Sequence, residues 1–193
     1  MSQTFNKRIY TPKLYITDLF FICSNFFRII KVSREKEIRE LMDKILLVVT
    51  GINNCKYCTW IDAKIALNDG IDKENVLHIL RQNFHTDANK KELPALIYAQ
   101  NFTETNRHPE AKIVKNLYNT YGEETADKVK LAVRVVTFGN MYFNTWLAVL
   151  SRFKGKPAPN SNILFEIPYF ICNAFKIIPI MLWRRFDKNV ISI

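Results

Sequence analysis

The stretch Asn53-Asn54-Cys55-Lys56-Tyr57-Cys58-Thr59-Trp60-Ile61-Asp62 decides how the chain is interpreted, because it places two cysteines at the predicted start of a helix. Asn53 or Asn54 is the predicted N-cap, since an asparagine side chain accepts a hydrogen bond from an unpaired backbone N–H. Cys55, Cys58 and Asp62 follow at i, i+3 and i+7, on one stripe of the helix. The positive end of a helix favours a thiolate, so this pair is suited to opening and closing a disulfide. The alternatives are an inert buried thiol pair and half of a metal site.

Composition outside this stretch indicates a single globular domain. The chain has 193 residues, of which 48% are hydrophobic and 24% charged, and this balance is typical of a folded protein. Five glycines and seven prolines are few for a turn-rich β protein, and no strand-like alternation extends over a useful length. We therefore predict an all-α fold with hydrophobic helical extensions at both ends. The predicted divisions are an N-terminal extension over residues 1–33, a core over 34–155, and a linker with a helical tail over 156–193.

Charge and cysteine content limit the classes of partner and compartment. The net charge of +10 permits contact with nucleic acid or with a membrane. No basic run with interleaved aromatics forms a nucleic-acid-binding module, however, so a nucleic-acid partner is not expected. Four cysteines are too few for a disulfide scaffold, and neither a signal peptide nor a run of 18 apolar residues is visible. These features favour a reducing cytoplasm. Cys23 and Cys172 lie in apolar segments and are predicted to be buried packing thiols, while His78, His85 and His108 do not match a standard zinc-finger spacing.

Helix signals before and within the core predict the order of elements. Pro12 is expected to block an early start, so Thr17 or Asp18 is the predicted cap of an apolar helix that runs to about Val32. Ser33 is expected to begin the next helix, which the stretch 50–53 ends. Its predicted buried face consists of Ile38, Leu41, Met42, Ile45, Leu46 and Val49. Asp43 projects beside that face.

Glycines and prolines punctuate the second half of the chain. Gly70 is predicted to follow the end of the Cys-x-x-Cys helix in a left-handed conformation, and Pro94 to lie in the first turn of a later helix. Gly122 is expected to end a helix that begins at Pro109, and Gly139 to kink the long helix that follows. The tail is predicted to form two short helices. They are expected to dock on the domain or on a second subunit, and a membrane-surface anchor is the alternative.

The spacing of acids and cysteines resembles that of a known family. Asp43, eleven residues, Cys55-Lys56-Tyr57-Cys58, three residues and Asp62 is similar to the pattern Glu, eleven residues, Cys-x-x-Cys, three residues, His. That pattern belongs to the alkylhydroperoxidase D (AhpD)-like and carboxymuconolactone decarboxylase family. The resemblance covers roughly residues 34–153 and extends to Ala63, Gly70, Ala95–Thr103 and Asn140–Asn144.

Two positions depart from the family pattern. Asp43 keeps a carboxylate where Glu is usual, but Asp62 replaces the His that in AhpD-like enzymes passes protons between the Glu and the cysteines. An ordinary aspartate is a poor base at neutral pH, and its charge opposes a nearby thiolate. If Asp43 and Asp62 converge in a pocket of low polarity, however, their repulsion would raise the pKa of one of them.

The resemblance implies a thiol-dependent peroxidase or disulfide oxidoreductase that works without metal or cofactor. Cys58 is assigned to attack the hydroperoxide, and Cys55 to close the disulfide and meet an external dithiol, either lipoyl or thioredoxin-like. Asp62 and Asp43 complete the expected catalytic set. The family also implies a homo-oligomer, a trimer or hexamer. The alternative function is a non-catalytic oligomeric scaffold, associated with a membrane surface through the tail.

Overall fold

Helices account for all the regular structure in the part of the chain that the computed structural model describes, which is residues 5, 7–84, 89–159 and 161–186. No strand occurs within these ranges, so the all-α prediction is confirmed. The helices are α1 (Pro12–Ser24), α2 (Phe26–Ser33), a short 3-10 helix (Lys36–Ile38), α3 (Arg39–Asn53), α4 (Lys56–Asn68), α5 (Lys73–Leu80), α6 (Leu93–Glu104), α7 (Ala111–Phe153) and α8 (Ile163–Phe186).

Helix α3 is the centre of the fold, because it packs against α4, α5, α6 and α7. The single buried face predicted for this helix is therefore too narrow, since residues on its other sides are buried as well, including Leu47, Val48 and Lys44. Lys44 is tolerated there because its ammonium group pairs with Glu40 at 2.7 Å and with Glu92 at 2.9 Å. The predicted start at Ser33 is wrong: Ser33 ends α2, and α3 begins at Arg39.

The N-terminal helices begin earlier than the sequence suggested. Thr11 caps α1 by accepting a hydrogen bond from the backbone N–H of Leu14 at 3.3 Å, and Pro12 is the first helical residue. The prediction that Pro12 blocks a helix was wrong because the N–H that proline lacks has no helical partner in the first turn. The single predicted helix to Val32 is also divided in two, at Asn25.

Helix α7 changes direction at Gly122, whose φ of 71° and ψ of 174° are not helical. A residue with a side chain rarely adopts such a positive φ, so the interruption predicted at this glycine is confirmed. The kink predicted at Gly139 is absent, since the backbone there stays helical. Gly70 has a φ of 99° just after α4, as predicted, and Pro94 lies in the first turn of α6.

Helix α8 is one continuous helix although it contains Pro168 and Pro179, and the prediction of two short helices is wrong. Both prolines lie on the exposed face, where water can satisfy the carbonyl groups that they leave unpaired. The inner face of α8 packs on α7, and its C-terminal part reaches α4. This packing places the tail beside the two cysteines.

Candidate redox site

The turn between α3 and α4 places the two cysteines. Asn54 ends α3 in the left-handed conformation, with φ 49° and ψ 44°, and Cys55 is the N-cap of α4. The Cys55 sulfur accepts the backbone N–H of Cys58 at 3.4 Å. The predicted N-cap, Asn53 or Asn54, is therefore wrong by one or two positions, because both asparagines belong to the end of α3.

A disulfide joins Cys55 and Cys58, whose Cα atoms lie 5.3 Å apart. Cys55 has no exposed surface and Cys58 is 5% exposed. The bond is part of an aromatic cluster that α7 and α8 complete with Phe143, Trp146, Tyr169 and Ile177. Neither sulfur is freely open to solvent, so access to the pair depends on the space around Cys58.

That space is a cavity of about 310 Å³ between α2, α3, α4 and α7, with Cys58 in its wall and Cys55 outside it. The volume is at the lower end of the range for small-molecule sites. Asp62, Asn140 and Ser33 are the polar residues of the wall. The other lining residues are apolar or glycine: Ile29, Val32, Met42, Leu46, Ile61, Leu131, Ala132, Val135, Val136, Gly139 and Phe143.

Asp62 lies one helical turn after Cys58 on α4, and such i, i+4 neighbours have Cβ atoms about 6 Å apart. Its carboxylate accepts a hydrogen bond of 2.5 Å from the hydroxyl of Thr50, which in turn accepts one of 3.0 Å from the side-chain amide of Asn140. Burial raises the pKa of Asp62 to about 7, and the charge of Asp43 adds to the rise, while the Thr50 hydrogen bond opposes it. Asp62 therefore changes charge near neutral pH.

Asp43 is buried, but it is not part of the cavity wall. Its pKa is raised to about 7, first by burial and then by a hydrogen bond and charge repulsion from Asp69 at the other end of α4, while Arg39 lowers it. Asp43 precedes Thr50 by seven residues, which is two helical turns or about 10 Å along α3. Thr50 is the residue of α3 that binds the Asp62 carboxylate, so Asp43 lies well away from that contact.

The four predicted site residues therefore divide into two groups. Cys55 is bonded to Cys58, and Cys58 and Asp62 share the cavity wall along the first half of α4, whereas Asp43 reaches Asp62 only through its charge. The hypothesis that repulsion between the two acids raises a pKa holds in direction, but burial is the larger cause.

Sequence reasoning missed Thr50, which it treated as part of a helix break. Thr50 is fully buried and follows Asp43 by seven residues, so the two share one face of α3. The i, i+7 spacing places Thr50 with Asp43 on the face of α3 that packs against the cysteine helix. That spacing is the sequence signal from which Thr50 could have been predicted as a site residue. Asn140 belonged to the family resemblance, and the structure places its amide on the Thr50 hydroxyl.

The remaining cysteines and histidines among the described residues lie apart from this site. Cys23 and Cys172 are exposed, so the prediction that both are buried is wrong. His108 is exposed on a connection, and His85 lies outside the described residues. Within the ranges that the structure describes, no group of three or more His, Cys, Asp or Glu side chains is arranged to hold a metal ion.

Comparison of the chain with protein-family models, with curated proteins and with solved structures found no match. The AhpD-like assignment therefore stays a prediction from the spacing of Asp43, Cys55, Cys58 and Asp62.

Proposed function

We propose that the chain is a thiol-dependent peroxidase that reduces organic hydroperoxides through the Cys55–Cys58 pair. One observation carries the proposal: Cys58 and a carboxyl group whose pKa is about 7 share the wall of one apolar cavity. A general base is most effective when its pKa lies near the working pH, so burial gives Asp62 the property that its residue type lacks.

In the reduced protein, the Asp62 carboxylate takes the proton of the Cys58 thiol. The thiolate attacks the terminal oxygen of the hydroperoxide, the O–O bond breaks, and the leaving alkoxide receives the proton to become an alcohol. Cys58 is then a sulfenic acid. The Cys55 thiol attacks that sulfur and releases water, which forms the disulfide seen in the structure.

An external dithiol completes the cycle by thiol–disulfide exchange, becoming a disulfide while both cysteines return to thiols. The proposed donor is a lipoyl or thioredoxin-like group. Cys58 lines the cavity and is 5% exposed, whereas Cys55 has no exposed surface. A hydroperoxide can therefore reach Cys58 through the cavity, whereas attack of the donor dithiol on the disulfide requires movement of the elements that cover it.

The cavity supports a preference for apolar substrates. Apart from Asp62, Asn140 and Ser33, its wall offers little to a polar ligand. An alkyl or aryl hydroperoxide fills such a space and keeps its peroxide group at the polar end, beside Cys58. Hydrogen peroxide gains no binding energy from the apolar wall. We therefore expect a higher kcat/KM for cumene hydroperoxide than for hydrogen peroxide.

The test is hydroperoxide consumption by the full chain with dithiothreitol as reductant. The background variant is Cys23→Ser with Cys172→Ser, because both residues are exposed thiols that would add unrelated reactivity. We expect turnover in this background and none after Cys58→Ser. The Cys55→Ser variant should complete one oxidation and hold a sulfenic acid that dimedone traps.

A non-catalytic scaffold is the second candidate, and the full burial of Cys55 favours it. In that case the disulfide only fixes the turn between α3 and α4. The background variant would then show no consumption above the Cys58→Ser level, and mass spectrometry would find no dimedone adduct in Cys55→Ser. That pair of results would reject the peroxidase.

A further inference from the structure

We propose that α1, α2 and α8 together form a surface that binds an anionic lipid bilayer, with the helices lying flat on the membrane. We call this surface the apolar platform. Within the described residues, every exposed large apolar side chain except Ile65 and Phe153 lies on these three helices. Representative members are Phe20, Phe27, Leu164, Ile171, Phe175 and Trp183, which are between 59% and 84% exposed. An apolar surface of this extent marks an interaction site.

Two helices of the platform, α1 and α8, are in contact. Tyr15 of α1 contacts Phe165 and Tyr169 of α8, with ring centroids 5.7 Å and 5.4 Å apart. Both helices also rest on α7, α1 through the ring of Phe21, which lies 3.5 Å from the Arg134 guanidinium, and α8 through Tyr169 against Tyr142. The platform therefore stands on a folded support, and its exposed faces are those that α7 does not cover.

Charge separates this surface from an ordinary apolar interface. Each of the two acids in α1, α2 and α8 is buried and paired: Asp18 accepts two hydrogen bonds of 2.7 Å from Arg107, and Glu166 pairs with Arg152. Asp18 is 4% exposed and Glu166 is 2% exposed. The platform therefore presents no carboxylate to solvent.

The exposed charges of the platform are cationic. Lys13, Arg28 and Lys31 are exposed on α1 and α2, and Lys176 is exposed on α8. Arg28 has a distant partner in Asp127, at 4.0 Å. Apolar side chains bordered by Lys and Arg fit the boundary between the headgroups and acyl chains of an anionic membrane.

A bilayer fits this surface better than a second copy of the chain. A two-fold interface places identical surfaces against each other, so it would bring cations close to cations with no exposed acid on the platform to balance them. The uniform sign of charge is unfavourable there and favourable on a surface of anionic headgroups.

An in-plane position also fits better than a membrane span. By length and composition Ile163–Arg184 is apolar enough to cross a membrane. Its inner stripe, however, is docked on the fold through polar contacts, because Tyr142 donates a hydrogen bond of 2.6 Å to Asn173 and Arg152 pairs with Glu166. A spanning position would separate these groups and leave a carboxylate in hydrocarbon.

The experiment is co-sedimentation of the full chain with vesicles of phosphatidylcholine alone and with vesicles in which a quarter of the lipid is phosphatidylglycerol. The test variant combines Phe20→Glu, Leu164→Glu and Phe175→Glu, at side chains that are 74%, 82% and 69% exposed, so the fold does not depend on them. The matched control is Ile65→Glu, an exposed apolar position on α4 outside the platform. Circular dichroism confirms that each variant is folded.

We expect binding to the phosphatidylglycerol vesicles, a loss of about tenfold or more in the triple variant, and no change in the control. A second variant, Lys13→Glu with Lys176→Glu, should remove most of the preference for the anionic vesicles, about tenfold. Bound protein should be released by an alkaline carbonate wash.

Three results would overturn the proposal. One is equal binding by the parent chain and the triple variant, or no binding by either. Another is resistance to the carbonate wash, which would indicate a spanning helix. The third is a dimer in analytical ultracentrifugation that the triple variant dissociates, since the platform would then be a subunit interface. None of these measurements depends on peroxidase activity, so the two proposals fail separately.

Discussion

At the scale of single residues, the central question is whether Asp62 can act as a base at neutral pH. An exposed aspartate is ionised well below neutral pH and holds a proton too weakly to return it to a leaving group. Burial beside the cavity raises the pKa of Asp62 to about 7, which is close to the ordinary value of histidine. Position in the fold therefore gives this carboxyl group the acid–base behaviour that the residue type alone does not.

The first prediction concerns the pH dependence of Cys58. If the Asp62 carboxylate is the base, the rate at which reduced Cys58 reacts with cumene hydroperoxide should rise with pH through about 7, as Asp62 loses its proton. Asp62→Asn should remove this inflection and lower the rate at pH 7 by about 10². Single-turnover kinetics by stopped flow measure both.

Thr50→Val provides the control for this assignment. The Thr50 hydroxyl stabilises the ionised form of Asp62, so its removal should raise the pKa of Asp62 and move the inflection to higher pH without abolishing it. An inflection that stays at the same pH in both variants would assign it to another group.

The second prediction follows from the same pKa and concerns stability. The pKa of Asp62 in the folded protein, about 7, is above its ordinary value of 3.8, so folding takes up a proton between these values. The free energy of unfolding should therefore fall as the pH rises from about 4 to about 7. Asp62→Asn removes this loss and should be more stable than the parent chain at pH 8, by on the order of 4 kcal/mol, but not at pH 4.

Urea denaturation of both proteins at the two pH values measures the difference. A part of the pH dependence should remain in Asp62→Asn, because Asp43 also has a pKa of about 7. If Asp62→Asn were less stable than the parent chain at pH 8, the Thr50 hydrogen bond would outweigh the cost of burying the charge.

At the scale of helices, the end of α3 fixes where the cysteines lie. Gly51 is two residues before the end of this helix, and a Cβ atom at that position would lie 2.3 Å from the backbone oxygen of Leu80. This approach is shorter than any real contact, so α3 and the end of α5 can meet only at a glycine. The turn that presents Cys55 follows three residues later.

The third prediction tests this contact. Gly51→Ala should destabilise the fold by about 1–3 kcal/mol, because α5 must move away from α3. The matched control is Gly139→Ala, another glycine with helical backbone, whose Cβ would meet nothing within 4 Å. At Gly139 the gain in helix propensity should raise the free energy of unfolding by about 0.5–1 kcal/mol. Thermal unfolding distinguishes the two, and equal effects at both glycines would contradict the importance of the close approach.

The predictability of these elements depended on whether the signal was local. Pro94 in the first turn of α6 and the left-handed Gly70 were both predicted, because the position of a proline or a positive φ is set by neighbouring residues. The burial of Lys44 was not, since its partner Glu92 is distant in sequence. Asp43 and Thr50 show the same limit, because only the antiparallel packing of α3 on α4 decides which of them reaches Asp62.

The scale of the whole molecule explains why the tail was the hardest part to predict. Pro168 and Pro179 predict breaks when α8 is considered alone, and its apolar composition suits a core, an interface or a membrane equally well. The packing of α8 on the domain explains the apolar residues on only one side of this helix. Its inner stripe completes the cluster around the disulfide, and its outer face stays exposed as part of the apolar platform.

The C-terminal part of α8 should therefore control access to the disulfide. Trp183 packs edge-on against Trp60 of α4, with ring centroids 5.2 Å apart, and the Arg184 guanidinium lies 5.1 Å from the ring centre of Tyr57. Aromatic and cation–π contacts of this kind are each worth about 1 kcal/mol. They hold the end of the helix on the first two turns of α4, next to Cys55.

The fourth prediction is that Trp183→Ala speeds reduction of the Cys55–Cys58 disulfide by dithiothreitol several-fold, because the end of α8 then leaves α4 more often. Trp183 is 59% exposed, so its loss should not unfold the domain. Leu164→Ala, at the other end of α8 and 82% exposed, is the control and should leave the rate unchanged. Alkylation of the released thiols, followed by mass spectrometry, gives both rates. An unchanged rate in Trp183→Ala would mean that dithiothreitol reaches the pair through the cavity beside Cys58, without movement of α8.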